Sequence, residues 1–208
     1  MAIIKITKVL YSEQQIRQRV HEVAEEIKRD CGERNIRDIH LVALMQGAMY
    51  FVSDLARELS PQVNVLHNGL YLSSYENDTV SSGNIRVRAN TCDPLEGKHV
   101  LMVDDILDTG NTFDYALNMI RRWQPASIKT CAFLDKPARR ITNMRLDFRG
   151  YEIENEFVIG YGLDYRQYGR NLPYVGVMVA EKTEVPGVTE IIEAWREGAT
   201  QANSIKVV

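Results

Sequence analysis

Three segments, IHLVALM (39–45), KHVLMVDDI (98–106) and SIKTCAFLD (127–135), each centre on an unbroken apolar run of four or five residues. A strand with one wet face alternates, whereas a run that is apolar throughout is covered on both faces, as in a parallel sheet clothed by helices. Amphipathic stretches lie before and between these runs. Ile16, Val20, Val23 and Ile27 recur at helical spacing after a Ser12-x-x-Gln15 capping pattern, and Gly32 supplies a stop. AMYFVSDLAREL (48–59) and TFDYALNMIRRW (112–123) read as helices too. Strand and helix in alternation predict an α/β fold, a parallel sheet flanked by helices. Ligands of such sheets sit beyond the carboxyl ends of the strands, where loops lead into helices.

The rest of the chain fits around that frame. VNVLHNGLYLSSY (63–75) is a further apolar run, and IRVRAN (85–90) alternates and returns, so residues 70–90 predict a hairpin with the polar tip ENDTVSSGN (76–84). FVIGYGLD and YVGVMVA are two more predicted strands, and TEIIEAWREG is a predicted short final helix. No repeat, linker or low-complexity tract interrupts the 208 residues. That length suffices for one domain burying about 70% of its unfolded surface, so a single domain over residues 1–208 is expected.

A net charge of -3 gives no support for holding nucleic acid or an acidic membrane surface, and neither partner is expected. MAIIKITKVL is interrupted by Lys5 and Lys8 and lacks the apolar core of a signal peptide. No stretch approaches the roughly 18 apolar residues of a membrane helix. Cys31, Cys92 and Cys131 are odd in number and far apart, which suits reduced thiols in the cytoplasm better than a disulfide framework or a zinc site. His21, His40, His67 and His99 show no metal-ligand spacing and are read as structural.

The chemistry concentrates at the end of one buried run. In HVLMVDDILDTGNTFDYAL (99–117), Asp104, Asp105 and Asp108 crowd a strand end, where their mutual repulsion demands a compensating ligand. The following loop, DTGNT, contains Gly110 and opens a helix; its amides, with the hydroxyls of Thr109 and Thr112, make a phosphate cradle. A nucleoside-triphosphate loop needs Lys before its last Thr, and Asn111 stands there instead. Carboxylates before the cradle suit a ribose, accepting from its 2′- and 3′-hydroxyls and assisting a Mg²⁺. A sugar 5′-phosphate satisfies every part. DTG also occurs in aspartic proteases, which need a second copy that this chain lacks. Asp108 as a helix cap explains one aspartate and leaves the adjacent pair unexplained.

VLMVDDILDTGNT resembles the phosphoribosyl-diphosphate signature of type I phosphoribosyltransferases, and over residues 10–182 the chain resembles their hypoxanthine–guanine branch. LVALMQGAMYFVSDL, LSSYENDTVSSG, FLDKPARR and FVIGYGLDYRQYGRNLPYVG match in the same order. The resemblance implies a parallel sheet with a small hood and a flexible hairpin loop, and transfer of a phosphoribosyl group from 5-phosphoribosyl 1-diphosphate to a 6-oxopurine, with Mg²⁺. The implied partners are these small molecules and copies of the chain in a homodimer or homotetramer.

By the same resemblance, Asp104 and Asp105 hold the ribose hydroxyls and associated Mg²⁺, and Asp108 stands beside purine N7 as general base. Thr109, Gly110, Asn111 and Thr112 form the 5′-phosphate loop. Lys136 approaches the purine 6-oxygen, Phe157 stacks on the base and the Val158 backbone reads its edge. Asp164 is a Mg²⁺ ligand, Arg170 a diphosphate contact, and Ser74 and Tyr75 belong to the closing loop. Gln46 and Gly47 form the first diphosphate loop, with Gln46 where many members have Lys. A backbone amide at Gln46, in a strained or cis peptide, still serves there, although one positive charge is missing. Residues 184–208 extend past the match, and a packing helix or subunit contact is expected of them. A regulatory protein that senses the diphosphate without turnover, and a transferase for xanthine, are the alternative readings.

Overall fold

The computed structural model describes residues 2–74, 85–182 and 204–207. Its elements are β1 (Ala2–Tyr11), α1 (Glu13–Glu33), β2 (Asp38–Met45), α2 (Met49–Leu59), β3 (Asn64–Ser74), β4 (Ile85–Asn90), β5 (His99–Leu107), α3 (Asn111–Arg121), β6 (Ser127–Asp135), β7 (Phe148–Glu152), β8 (Val158–Ile159), β9 (Val175–Lys182) and β10 (Ser204–Val207), with one 3-10 turn at Pro137–Arg139. The chain divides into two compact units, residues 17–155 and residues 1–16 with 156–208.

The larger unit carries a six-stranded sheet of order β4-β3-β2-β5-β6-β7. All its pairings are parallel except β3 with β4, which run antiparallel from Leu70–Asn90 to Ser74–Ile85 as the stem of the expected hairpin. The apolar runs behave as their composition requires: six consecutive residues of β2 are buried, as are the last six of β6. On one face, Phe113, Leu117 and Ile120 of α3 pack on Val42, Val100 and Met102. Elsewhere Phe51 of α2 meets Phe133 at 5.2 Å between ring centroids, and Tyr151 meets Phe133 edge-on at 5.8 Å. Because β3, β2, β5 and β6 are adjacent and parallel, Ser74, Met45, Leu107 and Asp135 all stand at the same end of the sheet.

The capping pattern at the start of α1 is realised: the Ser12 N–H donates to Gln15 Oε1 at 2.9 Å and the Gln15 N–H to Ser12 Oγ at 3.3 Å. Three histidines have structural partners: His40 lies buried beside Asn68 at 3.3 Å, His21 2.9 Å from Glu58 and His99 2.8 Å from Ser127 Oγ.

The smaller unit holds an antiparallel sheet of order β10-β1-β9-β8, packed around Ile6, Ile159, Leu172 and Met178. This sheet corrects the sequence reading in several places. Ala2–Tyr11 form a long strand between β9 and β10, and Ser204–Val207 form a strand where only a helix or subunit contact was expected. FVIGYGLD is not one strand, since only Val158 and Ile159 pair with β9. Gly160, Tyr161 and Gly162 then take positive φ, and a Cβ at Gly160 would stand 1.9 Å from the Tyr174 carbonyl oxygen, so the chain must leave the ladder there. The expected final helix, the hairpin tip and Tyr75 lie outside the described residues.

Candidate active site

Strand β5 carries the two aspartates near its end, and its backbone closes around them. The Asp105 N–H donates to Asp104 Oδ1 and the Ile106 N–H to Asp105 Oδ1, each at 2.9 Å. Burial first, then the charge of Asp105 and a side-chain hydrogen bond with it, holds the Asp104 carboxyl well above the usual carboxylate range. Two acids so placed favour a ligand that brings a cation or hydroxyl donors. The loop after β2 meets them: a Cβ on Gly47 would stand 1.8 Å from Asp105 Oδ2, so glycine is required for that approach. The Met45–Gln46 peptide before it is cis.

Two residues further along β5 the chain turns. Gly110, at φ 94°, caps α3 in the left-handed region, and Asn111 and Thr112 form the first turn of the helix, where N–H groups have no partner within the helix. Three consecutive carbonyls leading into this turn are held from one side. The Leu107 carbonyl accepts from the Lys136 N–H at 3.0 Å, and the Thr109 carbonyl accepts from the Ile141 N–H at 3.0 Å. Arg140 Nε donates to the Asp108 carbonyl and Arg140 Nη2 to the Leu107 carbonyl, both at 3.0 Å. The Asp108 carboxylate lies 2.8 Å from Arg139 Nε.

Lys136 follows the last residue of β6 and is only 6% exposed, so the solvated surface lysine that a Lys-Pro dipeptide ordinarily signals is not what the fold provides. Asp104, Asp105, Asp108, Thr109, Gly110, Asn111, Thr112, Lys136, Gln46, Gly47 and Ser74 thus all occupy strand ends, the loops that follow them or the first turn of α3, at one end of the sheet.

The remaining candidates belong to the smaller unit. Phe157 is 52% exposed and meets Tyr165 edge-on at 5.8 Å, so it is no core residue. The Met178 N–H donates to the Phe157 carbonyl at 2.8 Å, which makes Val158–Val177 a non-hydrogen-bonded pair. The Val158 N–H and carbonyl therefore point away from β9, on an edge strand. Asp164 and Arg170 pair with each other, Oδ1 to Nη2 at 2.7 Å, and Asp164 Oδ2 accepts from the Gln167 N–H at 2.6 Å. Arg170 Nη1 also donates to the Gly162 carbonyl at 2.6 Å, while its Nε is buried without a hydrogen-bond partner.

Sequence reasoning passed over Asp135, Arg139 and Arg140. Their one signal was the unbroken string DKPARR at a strand end, in which only the lysine had been singled out.

A parallel sheet with this acid pair, glycine turn and helix start defines a phosphoribosyl-transfer fold. The chain belongs to the phosphoribosyl transferase domain family, which matches residues 7–166. It is 35% identical over 174 residues to hypoxanthine phosphoribosyltransferase of Haemophilus influenzae, covering 84% of this chain and 96% of that protein. Hypoxanthine-guanine phosphoribosyltransferase of Streptococcus pneumoniae is 35% identical over 176 residues, covering 85% and 95%. The solved hypoxanthine phosphoribosyl transferase of Trypanosoma cruzi superposes with a TM-score of 0.79 at 37% identity, covering 84% of this chain and 92% of that one. Among the described residues no helix is long and apolar enough to cross a membrane.

Proposed function

We propose that the chain is a cytoplasmic purine-salvage enzyme that converts hypoxanthine or guanine and 5-phosphoribosyl 1-diphosphate to the nucleoside 5′-monophosphate and diphosphate. The observation that carries this is the placement of Asp104 and Asp105 on the strand that leads into a glycine-turned helix start, with a buried Lys136 just after the neighbouring strand. In the reaction, purine N9 attacks the anomeric carbon as the bond to the diphosphate oxygen breaks, through a sugar that carries positive charge.

Asp108 takes the proton from N7, on the far side of the imidazole ring from the attacking nitrogen. Asp104 and Asp105 accept from the ribose hydroxyls, and Thr109, Gly110, Asn111 and Thr112 receive the 5′-phosphate. Lys136 donates to the 6-oxygen and has nothing to accept from a 6-amino group, which disfavours adenine. Phe157 offers its open face to the base and Val158 its free backbone edge. Gln46 and Gly47 serve the diphosphate through backbone amides, and Ser74 and Tyr75 belong to the segment that closes over the site. A hood and hairpin working with the sheet as one domain, in a homodimer or homotetramer, complete the reading.

The acids suit Mg²⁺ borne by the substrate. Among the described residues no three His, Cys, Asp or Glu side chains converge on a metal position, and Mg²⁺ typically uses one or two carboxylates together with substrate phosphates. Asp104 and Asp105 would hold it at the ribose, and Asp164, released from Arg170, at the diphosphate. Bound there, the ion supplies charge to the departing diphosphate, and Arg170 adds to it.

Absorbance change on mixing the protein with Mg²⁺, phosphoribosyl diphosphate and each purine in turn tests the reading. Nucleotide from hypoxanthine or guanine is expected. Nucleotide from xanthine alone moves the substrate, and none from any base defeats the assignment.

A further inference from the structure

The loop proposed to hold the 5′-phosphate does not support itself. The carbonyls of Leu107, Asp108 and Thr109 all accept hydrogen bonds from the segment that follows β6. A trans peptide sets its C=O and the next N–H on opposite sides. Fixing these three carbonyls on one side therefore turns the N–H groups of Asp108, Thr109 and Gly110 to the other side. Thr142 packs behind the turn, where a Cβ on Gly110 would stand 2.1 Å from Thr142 Oγ1.

At the centre of this buttress is Arg140, whose side chain is 11% exposed. One guanidinium spans four acceptors: Nε to the Asp108 carbonyl at 3.0 Å, Nη2 to the Leu107 carbonyl at 3.0 Å and to the Asp135 carboxylate, and Nη1 to the Met144 carbonyl at 3.2 Å. Asp135, 10% exposed, balances the buried charge and takes Arg149 Nη1 on its other oxygen at 3.3 Å. An ammonium cannot reach acceptors in this planar, forked arrangement, so lysine is no substitute.

We propose that Arg140, anchored by Asp135, is a positioning residue that turns the amides of residues 108–110 toward the 5′-phosphate and so sets affinity for phosphorylated ligands. This rests on the phosphoribosyl reading of that loop. Arg140 itself touches no substrate; it acts through the backbone it grips.

Arg140→Lys tests it by calorimetry with inosine 5′-monophosphate and with inosine, alongside steady-state kinetics. The expected result is a 10- to 100-fold weaker Kd for the monophosphate, a matching rise in KM for phosphoribosyl diphosphate, and an inosine Kd and a hypoxanthine KM within about threefold of wild type. Equal weakening for nucleotide and nucleoside, or no weakening for either, overturns the proposal. Should Arg140→Lys not fold, Asp135→Asn decides by the same comparison, with a smaller selective loss expected and an unselective or absent one overturning. A wild-type protein that binds neither the monophosphate nor phosphoribosyl diphosphate defeats the phosphoribosyl reading itself, an outcome separate from both variants.

Discussion

Arg139 Nε lies 2.8 Å from Asp108 Oδ1, and yet that oxygen, buried, accepts no aligned hydrogen bond. The contact is a charge pairing between side chains 45% and 36% exposed, and pairs so wetted contribute about 0–1 kcal/mol. An incoming N7 proton therefore competes with a weak partner. Arg139→Met is expected to change turnover less than about threefold. Asp108→Asn removes the base and is expected to lower kcat by about 10²–10⁴-fold, with the Kd for phosphoribosyl diphosphate nearly unchanged. Rapid-quench turnover with parallel calorimetry separates the two, and equal loss of binding and turnover in Asp108→Asn would make its role structural.

Gly47 and Asp105 couple the loop after β2 sterically to strand β5. A Cβ at position 47 would stand 1.8 Å from Asp105 Oδ2, so Gly47→Ala forces the loop or the Asp105 side chain to move. Overpacking of this sort costs about 1–3 kcal/mol, or about 2–4 °C of Tm per kcal/mol for a chain of this size. Adding Asp105→Ala removes the obstructing carboxylate, so the double variant is expected to recover about 1 kcal/mol or more of the loss. Denaturant melts of the four proteins in the cycle measure it, and strictly additive costs would show that the loop and the Asp105 side chain do not meet.

What could be read in advance follows from where the information lies along the chain. Strands β2, β5 and β6 declare themselves because their stretches buried on both faces demand unbroken apolar runs, LVALM, VLMV and CAFL. Asp104, Asp105 and the glycine turn are contiguous, so their chemistry is local. Strand β1 was hidden because Lys5 and Lys8 break its apolar pattern and its partner β9 lies some 170 residues away. Strand β7, FRGYE, contains a glycine needed for contact with β6, since a Cβ on Gly150 would stand 2.2 Å from the Phe133 carbonyl oxygen. Arg140 reads as an ordinary surface charge until the fold brings Asp135 and the carbonyls of Leu107 and Asp108 around it. Partnerships made by backbone carbonyls leave no trace in side-chain identity.

Asp104 makes the ligand-free protein pH-sensitive in a definite direction. Burial and the neighbouring Asp105 raise its carboxyl above the unfolded value of 3.8, so between 3.8 and the folded value the native state keeps a proton that the unfolded chain has released. Its contribution to stability is fully present below pH 3.8 and is lost as pH rises through the folded value. Asp104→Asn is expected to flatten that fall and to give a higher Tm than wild type at pH 7, while weakening the response to Mg²⁺ with phosphoribosyl diphosphate. Thermal melts from pH 4 to 8, with and without these ligands, follow both effects. A variant no more stable than wild type at neutral pH would mean the charge is already well compensated.

Lys136 is buried at the end of β6, where an ammonium needs acceptors around it and a 6-oxopurine would add one. Adenine places an amino group there, two donors meet, and both lose hydrogen bonds they had in water. Sites built on one hydrogen-bonding pattern reject the other by factors as large as about 10⁴–10⁵. Glutamine in place of Lys136 offers either a donor or an acceptor by rotating its amide. Lys136→Gln is therefore expected to lower kcat/KM for hypoxanthine by about 10-fold or more and to bring the value for adenine closer to it. Competition between the two bases, resolved by chromatography of the nucleotide products, reads the ratio directly. An unchanged ratio would move selectivity away from Lys136 and onto the backbone edge at Val158.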